Sequence, residues 1–98
     1  MNHPVLRICI AGAGAIGCTL AARLVESGQQ VCVLARGETL ATIARDGIVL
    51  NDLDGRHHVQ VQASNDAAEL GLQDVIFLCT KAPALGEMLR HIRPMIGP

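Results

Sequence analysis

The sequence predicts an α/β fold in which a doubly wound parallel sheet carries helices on both faces. Two observations predict it: a glycine-rich turn joins a short buried strand to a helix near the start of the chain, and further buried strands follow, separated by helical patterns. The chain has 98 residues, of which 50% are hydrophobic and 17% are charged. This composition is typical of one folded domain, which we place over residues 1–98.

The first third of the chain predicts a strand, a turn, a helix and a second strand in succession. Residues 4–11 (PVLRICIA) are an apolar, β-branched run bounded by proline and glycine, as expected of a strand buried on both faces. Apolar residues then recur at helical spacing over 15–26, and Gly28 suits a left-handed helix end. Residues 30–35 (QVCVLA) form a second buried strand, so this segment is a βαβ unit with a right-handed crossover.

The middle of the chain predicts a short helix and then a β-hairpin. The stretch GETLATIARDG at 37–47 has a helical pattern that stops at Gly47. Over 48–63 (IVLNDLDGRHHVQVQA) the period changes to alternation, with Val59 and Val61 between polar residues. Because NDLDG lies between two strand-like runs, we predict a plain turn there and a hairpin with one solvated face.

A short helix and another buried strand follow the hairpin. The stretch SNDAAELG at 64–71 has the residues of a capped helix, with Ser64 or Asn65 as its N-cap. The stretch DVIFLCT at 74–80 is apolar and β-branched, as in a buried strand. The fold therefore contains the first four strands of a doubly wound sheet plus a β-hairpin.

A final helix closes the chain and leaves one sheet edge open. This helix runs from near Pro83 through Ile92, and Pro94 ends it. In a doubly wound sheet of strand order 3-2-1-4-5-6, the strand at 74–80 takes the fourth position, and these residues contain no fifth strand to cover it. We expect that open apolar edge to pair with another segment or with a second copy, as in a homodimer.

Charge and cysteine usage exclude several classes of partner. The formal net charge of −1 at pH 7 provides no basic surface for nucleic acid and no polybasic segment for a membrane. No apolar run approaches the roughly 18 residues of a membrane span, and the first residues lack a signal-peptide pattern. The four cysteines lack metal or redox spacing, which favours reduced, buried thiols over a disulfide framework. We therefore predict a cytoplasmic protein that binds a small molecule.

Two polar stretches have residue types found at metal sites, and we predict that neither binds metal. Asp52 and Asp54 begin like a calcium loop, but Arg56 takes the next ligand position and no glutamate closes the loop. His57 and His58 are adjacent on a strand, so their side chains point to opposite faces and are expected at the surface. The sequence also contains no complete catalytic constellation.

Three glycines point to the ligand. Gly12, Gly14 and Gly17 form a G-x-G-x-x-G motif directly after a buried strand and at the start of a helix. In that context Gly12 permits a tight turn, Gly14 lets a pyrophosphate approach the backbone, and Gly17 allows close packing of helix on strand. The free N–H groups of the helix N-terminus attract the phosphates. We predict a Rossmann-like dinucleotide-binding domain; the alternative is that the glycines only shape a turn.

The residue after the second strand favours NADP over NAD. An acidic residue at this position would bind the ribose 2′-hydroxyl of NAD, whereas Arg36 stands here and suits a 2′-phosphate. The alternatives are a solvated arginine and a ribose contact from Glu38. Lys81 follows the fourth strand at the carboxyl edge of the sheet, where it could reach the cofactor ribose or a substrate carboxylate.

These residues together resemble a known family. The stretch RICIAGAGAIGCTLAARLVESGQQVCVLARGETLATIARDGIVL, the hairpin after it, and DVIFLCTKAPAL are similar to the N-terminal part of the ketopantoate reductase (2-dehydropantoate 2-reductase) family. The resemblance covers essentially the whole chain. It rests on the G-A-G-A-I-G form of the motif, the arginine after the second strand and the lysine-alanine pair after the fourth.

The resemblance implies an NADPH-dependent oxidoreductase that reduces ketopantoate to pantoate, a step toward pantothenate and coenzyme A. It implies a cofactor site of eight residues: Gly12, Ala13, Gly14, Ala15, Ile16, Gly17, Arg36 and Lys81. The family's general-acid lysine, its substrate-binding residues and an asparagine after the fifth strand belong to later strands and a helical C-terminal domain. We therefore expect this chain to be a cofactor-binding part that holds no catalytic residue and does not catalyse alone.

Two alternatives remain open at this point. The first is a related reductase that acts on another 2-keto acid. The second is a non-catalytic NAD(P)-sensing module, which the absence of a catalytic domain from these residues would fit. Such modules usually carry an acidic residue where Arg36 stands, which ranks this alternative lower.

Overall fold

The computed structural model describes residues 5–80 and 82–97. Within them the chain forms six strands and four α-helices, joined by short turns. Two of these turns are single turns of 3-10 helix, Ala82–Ala84 and Arg93–Met95. The elements in chain order are β1 (Arg7–Ala11), α1 (Ala15–Glu26), β2 (Gln30–Leu34), α2 (Gly37–Asp46), β3 (Ile48–Asp52), β4 (Gly55–Val59), β5 (Gln62–Ser64), α3 (Ala67–Leu70), β6 (Val75–Leu78) and α4 (Leu85–His91).

Four parallel strands form the main sheet in the order β5-β2-β1-β6. If the hairpin strands β3 and β4 are left out and the other four strands are numbered along the chain, this order is 3-2-1-4, as in a doubly wound fold. The predicted fold class is therefore confirmed. In the central register Cys9 of β1 lies opposite Cys32 of β2 and Ile76 of β6. The carboxyl ends of all four strands therefore meet along one edge.

The central strands β1 and β2 are buried on both faces, as their continuous apolar runs predict. The sequence also predicts a buried strand at 74–80, but no residue of β6 is buried, because β6 lies at the edge of the sheet. Ile8, Ile10 and Val33 face one side, where α1, α2 and the hairpin cover them. Cys9, Ala11, Cys32 and Leu34 face the other side. The residues that cover this second face are Ala67, Leu70, Ile92 and Met95.

The hairpin predicted from the sequence over 48–63 is longer than the hairpin in the structure. It ends at Val59, and Gln62–Ser64 leave it to form β5, which pairs in parallel with β2. Polar and apolar residues continue to alternate through Val61, so the pattern does not show where the chain passes from one sheet to the other. The plain turn at NDLDG is confirmed, since Asp52 pairs with Gly55 across it.

Two helix boundaries also differ from the prediction. Asp66, not Ser64 or Asn65, caps α3 by accepting a hydrogen bond from the Ala68 N–H at 2.9 Å. Ser64 is still part of β5, and its hydroxyl accepts a hydrogen bond from the Asp66 N–H. The last helix ends at His91, before Pro94, which lies in the second 3-10 turn.

A charged cluster attaches the hairpin to α1. His57 of β4 donates hydrogen bonds to Glu26 at 2.7 Å and to Asp52 at 3.1 Å. Arg23 of α1 also pairs with Asp52, at 2.6 Å. The hydrogen bonds to Glu26 and then Asp52 raise the pKa of His57 above its ordinary value of 6.5, because both carboxylates need a ring N–H.

The burial of the cysteines tests the prediction of reduced, buried thiols. Cys9, Cys18, Cys32 and Cys79 all carry free thiols. Cys9 and Cys32 are buried as predicted, whereas Cys18 and Cys79 are only partly buried, so the prediction of four buried thiols is wrong for these two. Burial raises the pKa of Cys18 and Cys79, so these thiols are poor nucleophiles near neutral pH.

In the part of the chain that the structure describes, no helix is long and apolar enough to cross a membrane.

Candidate functional site

The turn after β1 requires glycine at its first position. Gly12 has a φ of +107°, and a Cβ there would lie 2.8 Å from the Thr80 hydroxyl oxygen and 3.1 Å from the Cys79 carbonyl carbon. Its N–H donates to the Leu34 carbonyl at 3.1 Å, which draws the turn toward the end of β2. The carboxyl ends of β1, β2 and β6 are thereby packed around one glycine.

Gly17 is required for a different reason. A Cβ at this position would overlap the carbonyl oxygen of Gly12 and would lie 3.1 Å from Cγ2 of Ile10. The absence of a side chain therefore lets the first turn of α1 pack directly against β1. This is the role that the glycine motif predicts for its third glycine.

Gly14 has no such explanation within the chain. Its φ of −73° is accessible to any residue. No heavy atom would lie within 4 Å of an added Cβ. The space against its backbone is open, so the missing side chain leaves room for something that the chain itself does not supply.

The N-terminus of α1 opens toward that space without a capping side chain. Gly14 caps the helix without a side-chain hydrogen bond, and the first turn contains no acidic residue. The first intrahelical hydrogen bond runs from the Cys18 N–H to the Gly14 carbonyl at 2.9 Å, so the three preceding amides have no intrahelical partner. A 12-residue helix with a free N-terminus favours an anion at this point.

A cavity of about 350 Å³ lies over the glycine turn at the carboxyl edge of the sheet. This is the position at which open α/β sheets bind ligands. Of the predicted site residues, Gly12, Ala13, Gly14 and Arg36 line the cavity. The other lining residues are Leu34, Ala35, Thr39, Cys79, Thr80, Ala84, Glu87, Met88 and His91.

The remaining predicted site residues lie elsewhere. Ala15 and Ile16 are exposed in the first turn of α1, and the Ile16 side chain is 80% exposed. Gly17 is buried against β1. Lys81 lies outside the described residues, although its neighbour Thr80 lines the cavity.

Arg36 supplies positive charge at the rim of the cavity. Arg36 precedes α2 in an extended conformation, and it forms no ion pair with any of the described residues. Thr39, in the first turn of α2, adds a hydroxyl to the same wall. Glu38, the alternative ribose ligand, is exposed and does not line the cavity. The rim therefore offers a guanidinium and a hydroxyl, both able to donate hydrogen bonds, to a ligand in the cavity.

Sequence reasoning missed the wall that α4 contributes. Ala84, Glu87, Met88 and His91 line the cavity at helical spacing, and their residue types form no recognised motif. The helical period over 84–91 could have grouped them on one face. Only the fold shows that this face crosses the carboxyl edge of the sheet.

A second cavity of about 270 Å³ lies at the opposite, amino edge of the sheet. Arg7, Gln30, Cys32 and Gln62 are among its lining residues, so it is more polar than the first cavity. None of its lining residues in the described part of the chain belongs to the glycine turn or to the first turn of α1. The described residues hold no group of three or more His, Cys, Asp or Glu side chains placed to bind a metal ion.

The chain is similar to proteins of one family along most of its length. The family model for ketopantoate reductase PanE/ApbA matches residues 8–98. A 2-dehydropantoate 2-reductase from Mesorhizobium japonicum is 39% identical over 93 residues, which cover 94% of this chain and 28% of that protein.

Solved structures show the same similarity. A crystal structure from Ralstonia solanacearum MolK2, of a protein assigned to the ketopantoate reductases, has a TM-score of 0.91 and 46% identity, and the match covers 97% of this chain and 30% of that one. A ternary structure of D-mandelate dehydrogenase with NADH and anilino(oxo)acetate has a TM-score of 0.83 and 30% identity, with coverage of 92% and 29%. The chain thus spans about three tenths of the length of each of these relatives.

Proposed function

The chain belongs to the ketopantoate reductase PanE/ApbA family, and we propose that it forms the NADPH-binding part of a reductase that converts ketopantoate to pantoate. In this proposal residues 1–98 are an N-terminal dinucleotide-binding domain that further strands and a helical domain complete. The relatives are oxidoreductases about three times as long, which agrees with such a division.

One observation carries the proposal: the backbone of Gly14 faces an open cavity at the N-terminus of α1, with Arg36 at the rim of the same cavity. Internal packing explains Gly12 and Gly17 but leaves Gly14 unexplained. A pyrophosphate against Gly14 would use both the free helix amides and the space that a side chain would fill. The cavity fits a dinucleotide on these grounds.

Arg36 supports NADP as the dinucleotide. The D-mandelate dehydrogenase neighbour holds NADH, so structures of this shape do not all use one cofactor. In this chain the cation Arg36 lines the cavity, whereas the acidic Glu38 does not. A guanidinium can bind a 2′-phosphate through two hydrogen bonds, and it has no comparable partner in a 2′-hydroxyl.

The residues of this chain bind and orient, and they do not donate the reaction's proton. When bound, the nicotinamide supplies a hydride to the carbonyl carbon of the 2-keto acid. The amides of Ala15 and Ile16 would hold the pyrophosphate beside Gly14, and Arg36 would hold the adenosine end. Lys81 follows Thr80 in the sequence, and Thr80 lines the cavity, so we propose that Lys81 contacts the cofactor near the reacting end. The protein is accordingly inactive without its catalytic domain.

The substrate has a second candidate. Because D-mandelate dehydrogenase shares the fold at 30% identity, another 2-keto acid is the alternative to ketopantoate. Turnover of ketopantoate and phenylglyoxylate by the complete enzyme would distinguish the two. The non-catalytic sensor is not favoured, because the family and the relatives named above are reductases.

Two further parts of the proposal concern the surroundings of the protein. The reduced cysteines fit a cytoplasmic location. At the outer edge of β6, Phe77 and Leu78 are 38% and 40% exposed, and among the described strands β6 pairs only with β1. We propose that this edge pairs with a segment of the catalytic part or, in its absence, with a second copy in a homodimer.

A fluorescence titration tests the cofactor. The chain has no tryptophan or tyrosine, so nicotinamide emission can be followed against a dark protein background. We expect tighter binding of NADPH than of NADH, and we expect Arg36→Ala to weaken NADPH binding roughly tenfold or more without changing NADH binding, as for a charge-assisted hydrogen bond.

Arg45→Ala is the matched control for that titration. Arg45 lies in the last turn of α2, the helix that Arg36 precedes; it is exposed, and among the described residues it pairs only with its neighbour Asp46 at 2.9 Å. Its loss should leave both affinities unchanged. If the folded protein binds neither nucleotide, the glycines only shape a turn and the proposed function is wrong.

A further inference from the structure

The cavity has a direction that follows from the strand order. Along the carboxyl edge, the order β5-β2-β1-β6 places Asn65, Arg36, the glycine turn and Thr80 in succession. The cavity wall that α4 contributes runs along the same edge, from the β6 side to the β5 side. Ala84 lies near the end of β6, and His91 contacts Asn65 at the end of β5. His91 therefore lies at the far end of the cavity, on the β5 side of Arg36.

The hydrogen bond of His91 defines which ring nitrogen carries a proton. Nε2 lies 3.0 Å from the carbonyl oxygen of Asn65. A carbonyl oxygen can only accept, so Nε2 is the donor. In a neutral imidazole the other nitrogen, Nδ1, then carries a lone pair. Among the described residues no hydrogen bond is formed to Nδ1, so the ring brings a free acceptor to the cavity wall.

The surroundings of His91 suit the base of a dinucleotide. If the pyrophosphate binds at the glycine turn and the 2′-phosphate at Arg36, the base would extend toward β5. Leu34 and Ala35 provide apolar surface on the strand side there, and Met88 provides it on the helix side. A flat base between these side chains would direct an edge toward the end of α4.

We propose that His91 is a specificity-determining residue that recognises the 6-amino group of adenine through its Nδ1 lone pair. The inference rests on the proposed function, since it needs a dinucleotide in this cavity. Adenine carries a donor at position 6, whereas hypoxanthine carries a carbonyl oxygen at the same position. An acceptor at Nδ1 therefore favours the adenine dinucleotide and disfavours its deaminated analogue.

The test compares two ligands that differ only at this position, NADPH and its hypoxanthine analogue deamino-NADPH. We expect the unmodified protein to bind NADPH about three- to tenfold more tightly, the effect of one neutral hydrogen bond. In His91→Ala the two ligands should bind equally. Arg36→Ala is the control: both ligands keep the 2′-phosphate, so their affinities should fall together and keep their ratio.

The ratio also separates recognition of the base from a structural role. If His91 only holds α4 against Asn65, its loss weakens both ligands equally and leaves their ratio unchanged, which overturns the inference. If His91 contacts the 2′-phosphate instead, its loss weakens NADPH but not NADH, and the inference is also wrong. Failure of the unmodified protein to bind NADPH would instead overturn the proposed function, and this inference with it.

Discussion

Replacement of Gly14 by alanine should separate binding from folding. The added Cβ meets no atom of the chain within 4 Å, and φ is −73°, so alanine fits the folded backbone. Alanine is a poorer N-cap than glycine, but it also restricts the unfolded chain, and these effects oppose each other. We expect the free energy of unfolding to change by less than about 1 kcal/mol.

The same substitution should strongly weaken dinucleotide binding. The methyl group would occupy the space that we assign to the pyrophosphate, and overpacking of this kind costs about 1–3 kcal/mol. This cost corresponds to a loss of roughly five- to 150-fold in affinity for NADPH. Nicotinamide fluorescence measures the affinity, and urea unfolding followed by circular dichroism measures the stability.

Gly17→Ala is the matched comparison and should behave in the opposite way. Its Cβ would overlap the Gly12 carbonyl oxygen, a backbone atom that cannot move without disturbing the turn. We expect a loss of about 2 kcal/mol in stability after the gain in helix propensity is included. Unchanged NADPH affinity in a fully folded Gly14→Ala variant would show that no ligand approaches the turn.

Three further predictions concern regions outside the cavity. Gly47→Ala should lower the free energy of unfolding by about 2 kcal/mol or more in urea unfolding. Gly47 has a φ of +75°, and a Cβ there would overlap the Val59 carbonyl oxygen. An unchanged urea midpoint would contradict this prediction. Since hydrogen bonds to two carboxylates raise the pKa of His57, its stabilisation is complete below about pH 6.5 and is lost as the pH rises through the higher folded value. In thermal unfolding His57→Gln should therefore remove this pH dependence, and His58→Gln should retain it. Leu78→Lys at the open edge of β6 should reduce self-association in sedimentation velocity, unless the edge is not the contact.

The fold was largely predictable because its elements have local signatures. Buried parallel strands read as apolar runs, and α1 has both a glycine turn before it and Gly28 after it, with a φ of +94°. The boundary between β4 and β5 was not predictable, since Gln60 and Val61 continue the alternation of the hairpin. Which strand a β-segment joins depends on long-range pairing, and the period of two does not encode it.

The candidate site was predictable only where a motif carries the chemistry. The glycine turn and Arg36 have motif positions, and the structure places Gly12, Gly14 and Arg36 around one cavity. Met88 and His91 have no motif, and they reach the cavity because α4 crosses the sheet from β6 to β5. Their position is a product of topology, which no local pattern in α4 contains.

The most direct test of the account is to map by NMR the amides that shift when NADPH is added to the 10.3 kDa chain. We expect the largest shifts at the glycine turn, at Arg36 and in α4 near His91, with little change in the hairpin. Shifts confined to the amino edge of the sheet, around Arg7 and Gln73, would place the nucleotide in the second cavity. That result would contradict the central claim that the dinucleotide binds over Gly14.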